Sequence, residues 1–257
     1  MSLQTKIHEF IFKPLSVDCL SIYLNNIFAN NTHMDKDSVT RTIDTYDVIA
    51  KSYTRANASI KPYQEFLDLF LSHVGEPSLG QQKHILDSGC GPGLSLAYFC
   101  KKGYAAYGFD LSEGQLALAR KNAPDAKLYK LDMRDFSKNV SFQFDGILSM
   151  ASLLHIPKEQ CPLVLSEFNK TLKDDGTLAI ALRGGSGESY EEETYTHSGH
   201  ARFFAYYTIS ELRELLNKQG FRVTYGTTIQ EQRRNFLWIN LLAKKGLEET
   251  LKDNAER

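Results

Sequence analysis

The sequence predicts an α/β fold, a doubly wound and mostly parallel sheet with helices on both faces. Three observations predict it. Short apolar segments alternate with amphipathic stretches from about residue 83 to residue 220, the pattern of parallel strands joined by crossover helices. Two apolar segments, "FRVTYGTTIQ" and "NFLWINLLAKK", then follow in succession, as an antiparallel hairpin laid on that sheet would. The chain has 257 residues, 42% hydrophobic and 24% charged, enough to bury a full core without disulfides or metals.

Residues 1–38 carry the weakest pattern and form an N-terminal extension of unclear role, ending in "NNTHMDKD"; Met34 offers an alternative start. The domain proper spans 39–257. Val39, Ile43, Tyr46, Ala50 and Tyr53 recur at steps of four and three and share one helix face. Tyr63, Phe66, Leu67, Phe70 and Val74 repeat that spacing in a second helix, closed by Gly75. "HILDSGC" is a buried strand, followed by a helix from about Leu94 to Lys102 that Gly103 ends. "AAYGFD" is the next strand, and Ser112 with Gln115 forms a capping box for the helix after it. "KLYKLD" and "FDGILSM" are two further strands. A helix from about Lys158 to Lys173 aligns Leu165, Phe168 and Leu172, and Asp175-Gly176 turns into the strand "TLAIAL". Residues 183–207 are a polar, glycine-containing loop that becomes aromatic at "RFFAYY". Thr208 and Glu211 box the start of a last helix, and a polar link at 231–234 joins the final two strands.

Composition excludes several partners. The net charge is −1 and the Lys and Arg residues are scattered, which leaves no electrostatic footprint for nucleic acid or an anionic membrane. Cys19, Cys90, Cys100 and Cys161 show neither C-x-x-C nor framework spacing, so reduced thiols are expected. His197 and His200 lack further ligands nearby in sequence, and no metal is expected. No segment approaches ~20 apolar residues, and Lys13-Pro14 breaks the N-terminal apolar run. A cytoplasmic protein, monomer or homodimer, is the expectation.

The chemistry concentrates at strand ends, where doubly wound sheets bind ligands. "LDSGCGPG" puts Gly89, Gly91 and Gly93 after Asp87. Glycines there let a ligand touch main chain, and the following helix offers free N–H groups. The spacing is G-x-G-x-G, not the G-x-G-x-x-G of dinucleotide sites, and Asp87 would repel a pyrophosphate but welcome an ammonium or sulfonium. Asp110, ending "GFD", can take both hydroxyls of a ribose. Asp132 can accept from an adenine amino group while Met133 packs on the ring. The ligand so described is S-adenosylmethionine (SAM). Leu111, Met150 and Cys90 are assigned to the same ligand's surroundings; Cys90, with no base adjacent in sequence, is a small filler and not a nucleophile.

From about Tyr46 to Lys245 the chain resembles the class I SAM-dependent methyltransferases of small-molecule type. "LDSGCGPG", "GFDLSEGQLALAR" and "FDGILSMASLLHIP" carry the resemblance, with "YDVIAKSY" and "FFAYYTISELRELLNKQGF" in support. It implies a seven-stranded sheet of order 3-2-1-4-5-7-6 with strand 7 antiparallel. It implies that the three loop glycines approach the methionyl part of SAM, that Asp110 binds ribose, and that Asp132 and Met133 hold adenine. It makes the helices over 39–75 a lid, with Tyr46 and Tyr53 either contacting SAM or serving as plain core aromatics. Ser88 departs from the apolar residue common in the family.

Direct displacement from a sulfonium requires alignment of the acceptor and exclusion of water, and a base only where the acceptor must lose a proton. The expectation is methyl transfer to an O, N or C atom of a small molecule; the alternative is a non-catalytic SAM-binding or scaffolding subunit. His155, past the fourth strand, is either the catalytic base or a structural histidine. Arg183, Arg202, Phe203, Tyr206 and Tyr207 are expected, with His155, to line the acceptor side, with 183–207 as its lid.

Overall fold

The computed structural model describes residues 38–197, 199–231 and 236–246. Met34, Cys19 and the rest of the extension up to residue 37, and the link at 232–235, lie outside the described residues. The elements below belong to the unit Val39–Arg257.

Seven strands form one sheet: β1 (His84–Ser88), β2 (Ala105–Asp110), β3 (Lys127–Lys130), β4 (Phe144–Met150), β5 (Leu172–Arg183), β8 (Phe221–Glu231) and β9 (Phe236–Lys245), in the order β3-β2-β1-β4-β5-β9-β8. The first five pair in parallel, and β9 runs antiparallel to both β5 and β8. This is the expected 3-2-1-4-5-7-6 order, since β8 and β9 are the sixth and seventh strands of the sheet. The helices are α1 (helical over 39–56), α2 (Gln64–Val74), α3 (Leu94–Lys101), α4 (Glu113–Asn122), α5 (Cys161–Thr171) and α6 (Ile209–Lys218).

The two-residue period of a strand sorts the core into two layers. Leu178, Ile180 and Leu182 of β5 face a layer with Phe168 of α5 and Leu212 of α6, whereas Ala179 and Ala181 face Phe70 of α2 and Phe99 of α3. Among the described residues no helix is long and apolar enough to cross a membrane, and Cys90, Cys100 and Cys161 are free thiols.

Two sequence expectations are corrected. α5 ends at Thr171, not Lys173, because Leu172 already pairs with Phe144 of β4. The stretch 183–207 is not a plain loop: β6 (Glu188–Glu192) and β7 (Ala201–Ala205) form a separate antiparallel pair. The charged run "EEE" concealed β6, yet Glu191 pairs in register with Arg202 and Tyr190 with Phe203.

α1 is fastened at both ends of its exposed arc. The Asp47 carboxylate accepts from Ser112 Oγ (2.5 Å) and Gly114 N (2.9 Å), so it supplements Ser112 as a cap for α4. On the other side Thr42 Oγ1 accepts from Phe203 N (3.0 Å), and Thr45 Oγ1 donates to Ala201 O (2.9 Å). α1 therefore bridges the end of β2 and the edge of β7.

Removing the Asp47 cap tests that attachment. Asp47→Ala is expected to destabilise the protein by ~1 kcal/mol, the usual cost of losing a helix cap, seen as a lower urea midpoint at unchanged slope. An unchanged midpoint would mean that the cap does not fasten α1.

Candidate functional site

The site starts from the turn after β1. Gly89 N and Cys90 N both donate to Phe109 O (2.9 Å each), and Gly91 N donates to Asp110 Oδ2 (2.9 Å). Asp110 Oδ1 also accepts from Ser112 N (2.9 Å), so one carboxylate holds the glycine turn and the entry to α4 together. The glycines divide by role. Gly93 has φ +78°, and a Cβ there would lie 3.0 Å from Ala119 of α4. Gly91 has φ +51°, and a Cβ there would meet nothing closer than Gln115 Oε1 at 4.0 Å. Gly91 thus faces open space, whereas Gly93 serves helix packing and lies outside the cavity lining, which departs from the expectation that all three approach a ligand.

A cavity of about 1020 Å³ opens beyond these strand ends, at the top of the ~300–1,000 Å³ range of ligand pockets. One part is walled by Asp87, Gly89, Cys90, Gly91, Asp110 and Leu111, continued by Asp132, Met133 and Met150. The other part is walled by Tyr46, Tyr53, His155, Arg183 and Arg202. Of the site residues singled out in the sequence, all but Gly93, Phe203, Tyr206 and Tyr207 therefore line one void.

Each ionisable group has a distinct setting. Asp87 is 4% exposed, and its side chain makes no hydrogen bond among the described residues. Burial, and then the nearby Asp110, pushes its carboxyl up to about 8. Burial likewise raises Asp110, against the opposing N–H groups of Ser112 and Gly91. Asp132 behaves oppositely: burial works to raise it, but the Arg134 fork (2.5–3.1 Å) holds it below the usual carboxylate range. Burial keeps the Cys90 thiol protonated, which fits a filler.

A buried carboxylate with no partner fits a ligand that brings a positive charge, and Gly91 leaves room for it to approach main chain. The residues present therefore suit the methionyl end of SAM.

In the aromatic part, His155 Nδ1 lies 2.6 Å from Phe203 O and Nε2 lies 2.8 Å from Tyr46 Oη. A carbonyl can only accept, so Nδ1 carries the proton and Nε2 accepts from the Tyr46 hydroxyl. Tyr46 Oη in turn accepts from Arg202 Nη1 (3.1 Å). Burial, with Arg202 next, lowers His155 to about 3, so the imidazole is neutral. Burial pushes the phenols of Tyr46 and Tyr53 up. Arg183 Nη1 meets both oxygens of Glu191 (2.8 and 2.7 Å), with its guanidinium 3.6 Å from the Phe236 ring centroid.

Phe203, Tyr206 and Tyr207 lie outside the lining. Strand alternation in β7 turns Arg202 and Phe204 toward the cavity and Phe203 away, where it packs edge-on to Tyr190. Phe203 acts through its main chain, which holds His155 and Thr42. The Tyr206 hydroxyl is tied to Glu191, and Tyr207 is 1% exposed with Lys158 Nζ 4.7 Å from its ring centroid. Sequence reasoning missed Tyr63, Tyr195, Phe204, Phe236 and Trp238 in the lining. A period-two reading of "RFFA" would have found Phe204.

Residues 85–176 match the family model described as "Methyltransferase domain". Among curated relatives, the chain is 27% identical over 150 residues to the ubiquinone biosynthesis O-methyltransferase of Pasteurella multocida, covering 53% of this chain and 61% of that one. It is 33% identical over 143 residues to the dTDP-3-amino-3,4,6-trideoxy-alpha-D-glucopyranose N,N-dimethyltransferase of Streptomyces venezuelae, covering 53% and 55%. Each match spans less than two thirds of the relative's length. The fold is shared with the 1,6-didemethyltoxoflavin-N1-methyltransferase of Burkholderia thailandensis, at TM-score 0.58 and 19% identity, over 92% of this chain and 93% of that one.

Two outcomes test the strand-end geometry. Gly91→Val is expected to remove SAM binding while leaving far-UV circular dichroism nearly native, at the backbone cost of a side chain at φ +51°, whereas Gly93→Val should add to a like cost its clash with α4 and lower the melting temperature further. Equal melting losses in both would contradict this division.

The raised carboxyl makes a pH prediction. Asp87 holds its proton more tightly folded than unfolded, so its contribution to the ligand-free protein's stability falls as pH rises from its ordinary value, 3.8, to about 8. A cation binding beside it favours the ionised form, so binding SAM at pH 7 should release about one proton. Titration calorimetry in buffers of different ionisation enthalpy measures this; Asp87→Asn should abolish the release, and zero release in the wild type would contradict the assignment.

Proposed function

From a chain that belongs, by domain and by fold, to the class I SAM-dependent methyltransferases, we infer that this protein binds SAM at the ends of β1, β2 and β3. In this reading it transfers the methyl group to a small molecule held between α1 and β7. One observation carries the reading: a single void joins Asp87, Gly91 and Asp110 to Tyr46, His155 and Arg202. The names of the matched relatives, an O-methyltransferase and an amino-sugar N,N-dimethyltransferase, support a small-molecule acceptor.

SAM, when bound, supplies a sulfonium methyl that needs no metal or protein nucleophile to leave. The chain's own residues do the rest. Asp87 balances the ligand's positive charge in a site from which water is excluded, where charge pairing is stronger than in solvent. Asp110 presents its remaining lone pairs to ribose hydroxyls while its two N–H bonds keep it oriented. Met133 offers an apolar surface to the adenine. Asp132 presents to the amino group a carboxylate fixed by Arg134. On the acceptor side the rings of Tyr46, Tyr53 and Phe204 exclude water, and α1 with the β6–β7 pair forms the lid.

His155 is a positioning residue here, since both ring nitrogens are engaged and its Nε2 faces Tyr46. Tyr46 is the group of this chain that faces the acceptor. A proton leaving a hydroxyl acceptor would reach His155 only by way of the Tyr46 hydroxyl.

The reading is tested by incubating the protein with SAM and a metabolite library and measuring S-adenosylhomocysteine, with calorimetry against SAM and NAD alongside. Turnover and SAM binding without NAD binding are expected. SAM binding with no turnover on any acceptor would instead support a non-catalytic binding subunit.

The Tyr46–His155 pair has its own test. If the acceptor loses a proton, Tyr46→Phe and His155→Ala should each slow turnover by about 10²-fold, and the double variant should be no slower than the worse single one. Additive losses would separate the two roles. Because His155 protonates only near 3, its ionisation should leave no inflection in the rate between about pH 5 and 8.

A further inference from the structure

Two buried guanidinium groups line the cavity, and they differ in one respect. Arg183 is ion-paired with Glu191. Arg202, 7% exposed, has no carboxylate within salt-bridge distance among the described residues. Its Nη1 donates to Tyr46, while its Nε is shielded from solvent and has no acceptor. Its charge rests against the rings of Tyr46, Tyr195 and Phe204, 5.4, 5.5 and 5.2 Å from their centroids. Ring faces offset part of the cost of burying a cation, but they give its N–H donors no acceptor in the guanidinium plane.

Glu191, bonded to Arg183, feels the Arg202 charge without touching it, so the buried Arg202 guanidinium has no carboxylate in contact and is suited to one that a ligand brings. We propose that the methyl acceptor is a small planar monoanion, an aromatic or conjugated carboxylate, whose anionic group pairs with Arg202. The proposal rests on the reading of the cavity as a methyltransferase site and adds the substrate class. With Nη1 bonded to Tyr46 and Nε shielded from solvent, Nη2 is the donor left to an incoming carboxylate, which it meets through a charge-assisted hydrogen bond. A monoanion fits better than a phosphate ester. Arg202 is the buried guanidinium of the lining that has no ion pair among the described residues, and Asp87 and Asp110, which line the same cavity, disfavour a second negative charge. Planarity suits the rings of Tyr46, Tyr53, Tyr195, Phe204, Phe236 and Trp238, which are among the lining residues.

The test uses the full chain saturated with S-adenosylhomocysteine, titrated with benzoate, 4-hydroxybenzoate and cinnamate and with the primary amide of each. The acids are expected to bind at least about tenfold more tightly than their amides, a difference of ~1.4 kcal/mol. Arg202→Gln should erase that preference while S-adenosylhomocysteine still binds, and Arg202→Lys should restore part of it, since a charge remains but the planar guanidinium and its bond to Tyr46 are gone. Amides binding as well as acids, or no acid binding at all, would overturn the proposal. So would an Arg202→Gln variant that loses S-adenosylhomocysteine affinity and keeps its preference for acids, because the guanidinium would then hold the cofactor's own carboxylate. Failure of the wild-type chain to bind S-adenosylhomocysteine would be a different result, removing the methyltransferase reading itself.

Discussion

The site depends on the reversal of strand order at β1. β1 pairs in parallel with β2 on one side and with β4 on the other, so the connections leaving those strands depart to opposite faces of the sheet. No connection covers the carboxyl end of β1, and a crevice opens there. Asp87, the glycine turn and Asp110 stand at that point because backbone pairing puts them there, and the cavity continues from it toward β4 and β5.

What fills the crevice is set by uncompensated charge. Among the described residues several buried charged groups are ion-paired: Asp145 meets Lys83 and Lys173, Glu167 meets Lys170, and Arg183 meets Glu191. Asp87 and Arg202, both in the cavity lining, make no such pair. Their settings have opposite sign. A buried carboxylate without an ion pair favours a cationic ligand, and a buried guanidinium without one an anionic ligand.

α1 couples the two halves. Asp47 caps α4 beside Asp110, and one turn away Thr42, Thr45 and Tyr46 bond to β7 and Arg202. Movement of this helix would loosen both the turn at Asp110 and Ser112 and the hydrogen bonds to β7, as the lid proposed above requires.

By itself the sequence determined the layered fold, the strand order implied by its resemblance, and the glycine turn with its three strand-end acids. These are local or periodic features: Asp87, Asp110 and Asp132 each follow an apolar run, and strands in a doubly wound sheet deliver their ends to one edge. The hydrophobic period also placed the helix ends to within a few residues. Tertiary structure alone decided the aromatic part of the cavity. That β7 turns Arg202 and Phe204 inward and Phe203 outward depends on its pairing with β6, which the acidic run disguised. That His155 has both nitrogens occupied depends on Tyr46, 109 residues away in sequence, and on the Phe203 carbonyl, 48 residues away. That Gly93 packs on Ala119 while Gly91 stays open depends on the seating of α4. The difference between Arg183 and Arg202 is of the same kind. Arg183 stands between Leu182 and Gly184 and Arg202 between Ala201 and Phe203, and only three-dimensional packing gives one a carboxylate in contact and leaves the other without, because charge compensation is a property of neighbours in space.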